Sequence, residues 1–106
     1  MKNITQEEWV DLITKDDKAV LIDTRTPNEW TEGIQENAIL MDVLQPVKFE
    51  QATQALDKDK NYYVYCRSGQ RSMNACRLLE SAGIKTTFNL LGGMTMWKGR
   101  TVVPEL

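Results

Sequence analysis

Short apolar runs alternate with stretches of helical spacing along this chain. Ala19-Val20-Leu21-Ile22, Ala38-Ile39-Leu40-Met41 and Tyr62-Tyr63-Val64-Tyr65 are continuous apolar runs of strand length, each bounded by polar residues. Such runs suit strands covered on both faces. Thr86-Thr87-Phe88-Asn89-Leu90 reads as a fourth strand, and Ile4 as part of a brief edge strand at the start. Between them the period changes. Thr5-Gln6-Glu7-Glu8 fits a capping box, and Trp9, Leu12 and Ile13 then share one helical face, which predicts a helix over 5–14. Pro27 suits the first position of a short helix through Trp30, which Gly33 ends. Val47, Phe49, Ala52, Ala55 and Leu56 predict a helix over 46–56. Ala75, Cys76, Leu79 and Ala82 predict one starting at Ser72 and ending at Ser81, capped by Gly83. A last short helix over 94–98 would bring Trp97 onto the core. The alternation points to an α/β fold with a mostly parallel central sheet of about five strands and helices on both faces. With no repeat, linker or low-complexity stretch, residues 1–106 are expected to form one domain.

Composition narrows the chemistry mainly by what is missing. The chain has no histidine and only two cysteines, Cys66 and Cys76. Ser-His-Asp and Cys-His catalysis are therefore excluded, as are histidine-ligated metals and a four-thiolate site within one chain. The net charge of −2 gives no general attraction to nucleic acid or an anionic membrane. The longest apolar run, Tyr62-Tyr63-Val64-Tyr65-Cys66, is far too short to span a bilayer, and the N-terminus has no signal-peptide core. A cytoplasmic location is expected, where two cysteines do not suggest a structural disulfide.

Cys66 stands at the carboxyl end of the third predicted buried strand, where open α/β sheets place their ligands. The loop it opens is Cys66-Arg67-Ser68-Gly69-Gln70-Arg71-Ser72. Ser72 leads into a helix whose N-terminal amides face the loop, Gly69 permits the turns of an anion nest, and Arg67 and Arg71 add positive charge. Each of these features favours thiolate over thiol. A free thiol is only a few per cent ionised at pH 7; a downward shift of two units, about 2.7 kcal/mol, makes the thiolate the majority form. Cys76 instead lies on the apolar face of the following helix and reads as core, with a resolving thiol as the alternative.

This loop resembles the active-site loop of single-domain rhodaneses, the thiosulfate sulfurtransferases. Asp23-Thr24-Arg25-Thr26-Pro27-Asn28-Glu29-Trp30 is similar to that family's Asp-x-Arg-x-x-x-Glu-aromatic segment, and Leu91-Gly92-Gly93-Met94-Thr95-Met96-Trp97 to its closing Gly-Gly-x-x-x-Trp motif. Three motifs in order extend the resemblance over nearly the whole chain. It implies that Cys66 accepts sulfane sulfur as a persulfide. It further implies that the backbone of Arg67, Ser68, Gly69, Gln70, Arg71 and Ser72 cradles that sulfur, and that Arg67 and Arg71 neutralise a small anionic donor. The acceptor would be cyanide or a thiol, or a donor or acceptor protein would take part. No metal or organic cofactor is implied, and neither nucleic acid nor membrane is an expected partner. Gly33-Ile34-Gln35-Glu36-Asn37-Ala38 departs from the family's Gly-His-Ile-Pro-Gly-Ala segment, lacking its His and Pro.

Two other functions compete. Tyrosine phosphatases and arsenate reductases also use a thiolate in an anion-binding loop, but their pattern places Arg after five intervening residues, where this chain has Ser72. The related cell-cycle phosphatases have a loop one residue longer, whereas the shorter loop here suits a sulfur-sized group. A persulfide carrier or binding module acting on a partner protein would form the same intermediate. Arg25 and Glu29, four apart, suggest a structural ion pair, while Asp23 either borders the site or supports it. Trp9, Trp30 and Trp97 read as core anchors, and Met94 and Met96 as packing residues with the pocket wall as the alternative.

Overall fold

In the computed structural model, which describes residues 1–105, the predicted strands pair into one sheet and the helices cover both of its faces. The elements are β1 (Lys2–Ile4), α1 (Gln6–Lys15), β2 (Ala19–Asp23), α2 (Pro27–Trp30), β3 (Ile39–Leu40), α3 (Pro46–Gln54), β4 (Asn61–Tyr65), α4 (Gln70–Ser81), β5 (Thr86–Leu90) and α5 (Gly93–Met96). The strand order is β1-β5-β4-β2-β3, and every pairing is parallel. The chain leaves β4 towards β5 and leaves β2 towards β3, in opposite directions along the sheet. The carboxyl ends of β2 and β4 therefore mark the point where the winding reverses, the usual address of a ligand crevice.

Alternation along β4 divides the core. Tyr62 and Val64 join Ile22, Phe49, Ala75, Cys76 and Leu79 on the face covered by α3 and α4. Tyr63 and Tyr65 join Ile4, Trp9 and Leu90 on the other face, with Trp97 packed against them. Trp9 meets the ring of Tyr63 edge-on at 5.5 Å between centroids. Burying each such side chain contributes on the order of 2 kcal/mol. The capping box of α1 forms as the sequence predicts. Glu8 N–H donates to Thr5 Oγ1 at 3.2 Å, and Thr5 N–H donates to Glu8 Oε1 at 3.0 Å.

Four expectations need correction. The second apolar run forms only a two-residue edge strand, with Ile39 40% exposed, because it is last in the sheet and no described strand pairs with its outer side. Val47 and Ala55 face solvent; α3 packs through Phe49, Ala52 and Thr53, with Leu56 just beyond its end. Helix α4 begins at Gln70, two residues before the predicted Ser72, because Gly69 at its N-cap adopts φ 104° and turns the chain at once. Finally, Arg25 does not pair with Glu29. Helix α2 starts only at Pro27, so Arg25 precedes it and the helical i, i+4 spacing does not apply.

Arg25 instead pairs with Asp23, whose side chain is completely buried. Arg25 Nη2 donates to Asp23 Oδ2 at 2.8 Å and to the Gly33 carbonyl at 2.7 Å, while Trp30 Nε1 donates to Asp23 Oδ1 at 3.1 Å. The Asp-x-Arg segment thus ties the end of β2 to α2 and to the turn after it. Asp23 supports the site from below and has no open face. The departing segment has its own fixings: buried Gln35 donates its N–H to Tyr65 Oη and accepts from Trp9 Nε1, both at 3.0 Å.

Candidate active site

β4 ends at Tyr65, and the chain turns through Cys66 into α4. Cys66 is only 1% exposed, while Arg67, Ser68 and Gln70 stand open to solvent above it. The sulfur lies at the floor of a cup lined by hydrogen-bond donors. Gly69 N–H donates to Cys66 Sγ at 3.1 Å and Ser72 Oγ lies 3.3 Å from it. Burial pushes the Cys66 thiol up, but the Ser72 hydroxyl and the Ser72, Gly69 and Ser68 amides outweigh it, so the thiol is more acidic than an ordinary cysteine.

The two arginines divide in role. Arg71 is held by Glu29 in a two-pronged ion pair, Nη1 to Oε1 and Nη2 to Oε2, both at 2.8 Å. Glu29 also accepts from Thr26 N–H at 3.2 Å, so one carboxylate joins the start of α2 to the start of α4. Its pKa is pushed down to about 2, first by the Arg71 hydrogen bonds and then by Thr26, against the effect of burial. Arg67 makes no ion pair among the described residues. It lines a cleft of about 490 Å³ together with Glu32, Met94, Thr95 and Trp97. Thiolate stabilisation therefore comes from polarised N–H and O–H groups, and the Arg67 charge sits on the rim. A larger cleft of about 960 Å³, bounded by Val10, Leu91 and Met96, contains no residue of the Cys66 loop.

The closing Gly-Gly motif positions the loop through its backbone. Met94 N–H donates to the Cys66 carbonyl and Thr95 N–H to the Arg67 carbonyl, each at 2.9 Å, and Thr95 Oγ1 donates to the latter at 2.8 Å. This approach leaves no room for a side chain at Gly93. A Cβ there would meet the Cys66 carbonyl oxygen and lie 2.6 Å from the Arg67 carbonyl carbon, at a φ of +52°.

Every residue singled out in the loop lies on or around this cup. Cys66 forms the floor, Gly69 N–H and Ser72 Oγ lie against it, Ser68 stands above it, Gln70 opens α4, and Arg71 braces the loop through Glu29. Cys76 is fully buried on the core side of α4, and burial pushes its thiol up to about 12, as its apolar helical position suggests. Sequence reasoning missed three contributors: Glu29 as the partner of Arg71, the Met94 and Thr95 amides, and Asn89. Glu29, Met94 and Thr95 stand in the sequence only as members of their motifs, and Asn89 only as a lone amide near the end of an otherwise strand-forming run.

Comparison with known proteins agrees with this architecture. The rhodanese-like domain family model matches residues 5–100, and the chain belongs to that family. The Bacillus subtilis protein named "Putative sulfurtransferase YtwF" is 40% identical over 95% of this chain and 94% of its own length. The thiosulfate sulfurtransferase GlpE of Coxiella burnetii is 30% identical over 92% of this chain and 87% of its own. Among solved structures, a rhodanese-like domain protein from Staphylococcus aureus superposes with a TM-score of 0.81 at 29% identity, covering 99% of this chain and all of that one. The relatives named for an activity are sulfurtransferases, and the all-parallel sheet with helices on both faces is the fold of this family.

Proposed function

We propose that the protein takes sulfane sulfur from thiosulfate, or from a persulfide donor, onto Cys66 and passes it to cyanide or a thiol. The observation that carries this reading is the cup itself: a buried sulfur at the carboxyl end of β4, facing the Gly69 N–H at 3.1 Å and the Ser72 hydroxyl at 3.3 Å. Thiolate attack on the outer sulfur of thiosulfate forms the Sγ–S bond. The sulfur–sulfur bond of the donor breaks, and sulfite leaves with its electron pair. Sulfite is a stable anion and needs no proton from an acid, so a site without histidine suffices. The outer sulfur of the persulfide then carries the negative charge that the loop amides are aimed to hold. Cyanide attack on that sulfur gives thiocyanate and restores the Cys66 thiolate. Arg67, on the rim and without an ion pair among the described residues, is the residue placed to attract a dianionic donor.

The phosphatase reading fits this geometry less well. Where such a loop carries its arginine, this chain has Ser72, whose hydroxyl faces the sulfur, and the neighbouring Arg71 has both terminal nitrogens taken by Glu29. The test is thiocyanate formation from thiosulfate and cyanide by the intact protein and by Cys66→Ser. Turnover by the former and a loss of roughly a thousandfold or more in the latter is the expected result. Undiminished turnover by Cys66→Ser would remove Cys66 from the reaction.

A further inference from the structure

Ser72 Oγ stands between two acceptors. On one side is Cys66 Sγ at 3.3 Å; on the other is the side-chain oxygen Oδ1 of Asn89, in a close hydrogen bond. A serine hydroxyl has one proton, so it cannot donate to both at once. The Asn89 amide is only 1% exposed, and both of its N–H groups are used. They donate to Asn3 Oδ1 at 2.9 Å and to the Gly69 carbonyl at 3.1 Å. Those two bonds fix the amide orientation, so Oδ1 and not Nδ2 faces Ser72.

We propose that Asn89 is a positioning residue that sets the reactivity of Cys66 by competing for the single hydroxyl proton of Ser72. With Cys66 protonated, the thiol S–H points at Ser72 Oγ and the Ser72 O–H points at Asn89, so each group in the chain is satisfied. When Cys66 loses its proton to solvent, Ser72 either turns to the thiolate and strands Asn89 Oδ1, or keeps Asn89 and leaves the sulfur to the amides. Either way the thiolate receives less than the full strength of the Ser72 bond. A thiolate held too tightly is a weaker nucleophile, because nucleophilicity falls with pKa. Asn89 thus prevents the cup from over-stabilising the anion. In the persulfide the charge moves to the outer sulfur, Sγ becomes neutral, and Ser72 returns to Asn89 without loss. Asn89 therefore favours the sulfur-loaded state over the free thiolate.

The charged and titratable groups around Cys66 do not supply this competition. Arg71 is neutralised by Glu29 across the loop, with Asp42 also within its field, and Arg67 points into the rim cleft. Cys76 on α4 stays protonated, and the Asp23–Arg25 pair at the end of β2 is closed on itself. Asn3 and Asn89, from β1 and β5, are neutral.

The inference rests on reading Cys66 as the nucleophile, and its test separates the two. Iodoacetamide alkylation of Cys66 is followed against pH by peptide mass spectrometry, which distinguishes Cys66 from Cys76. Asn89→Leu is expected to move the midpoint down by roughly one pH unit and to lower the limiting rate at high pH roughly threefold. In a Ser72→Ala background the same substitution is expected to change neither. Asn3→Ala, a change on the exposed edge strand that leaves the core untouched, loosens the amide and is expected to shift the midpoint in the same direction by less. A merely structural role for Asn89 would release Gly69 from the cup and move the midpoint up, with or without Ser72. An upward or absent shift in Asn3→Ala and Asn89→Leu, or a shift that persists without Ser72, overturns the proposal. If the parent protein alkylates at low pH yet takes no sulfur from thiosulfate, the functional reading fails while the Asn89 inference stands.

Discussion

Replacing Glu29 by Gln tests whether the brace between α2 and the Cys66 loop depends on charge. The carboxylate has a pKa of about 2, against 4.5 for an unperturbed glutamate, and it is 13% exposed beside an Arg71 side chain that is 26% exposed. That depression corresponds to about 3 kcal/mol linking ionised Glu29 to the folded state, to within about a factor of two. The sign follows from the direction. A lowered folded-state pKa contributes stability that is fully present above the unfolded pKa of 4.5 and is lost as pH falls through about 2. Glutamine keeps the shape and an acceptor for the Thr26 N–H but has no charge to lose. The stability gap between the parent and Glu29→Gln should therefore be about 3 kcal/mol at pH 7 and shrink to about 1 kcal/mol at pH 3. Urea unfolding at a series of pH values measures it directly. A gap that stays constant from pH 7 to pH 3, or a variant as stable as the parent at pH 7, would refute the assignment of this ion pair.

The other predictions concern separate parts of the site. Gly93→Ala should abolish sulfur transfer by displacing the Cys66 and Arg67 carbonyls while leaving far-ultraviolet dichroism largely unchanged; wild-type kinetics would show that the close approach is not needed. Arg67→Ala should raise KM for thiosulfate, increasingly so at low ionic strength, because its charge has no ion-pair partner among the described residues. Arg71→Ala should act mainly on stability, and the reverse pattern in steady-state kinetics and urea unfolding would exchange their roles. Asp23→Asn strands the buried Arg25 guanidinium and should destabilise the protein by about 3–5 kcal/mol, read as a lowered Tm. A change below about 1 kcal/mol would mean that Arg25 finds another partner.

Legibility in the sequence followed how local each determinant is. The strands at 19–22, 62–65 and 86–90 were readable because burial on both faces leaves a continuous run of suitable residues. Cys66 was readable from its place at a strand end before Gly69 and a helix. The source of its acidity is legible only in part: the loop amides follow from Gly69 and the helix start, whereas the Ser72 hydroxyl does not. Arginines one and five residues after Cys66 look like the nearest charges, but Glu29 on α2 claims Arg71, and only the folded chain brings those helices together. The start of α4 is hidden for a related reason: Gly69 looks like loop in the sequence, whereas its left-handed backbone makes it the cap. Asn89 and Asn3 lie 86 residues apart, so their pairing across parallel strands β1 and β5 has no local signature. The brevity of β3 depends on its being last in the sheet, which its own apolar run does not reveal.

The central claim is that Cys66 carries sulfur, and intact-protein mass spectrometry under non-reducing conditions tests it most directly. After brief incubation with thiosulfate, the protein is predicted to gain one sulfur atom, about 32 Da, that cyanide or a thiol removes. Cys66→Ser should gain nothing, and Cys76→Ser should load as the parent does. No added sulfur from thiosulfate, polysulfide or glutathione persulfide, or equal loading of Cys66→Ser, would contradict the account.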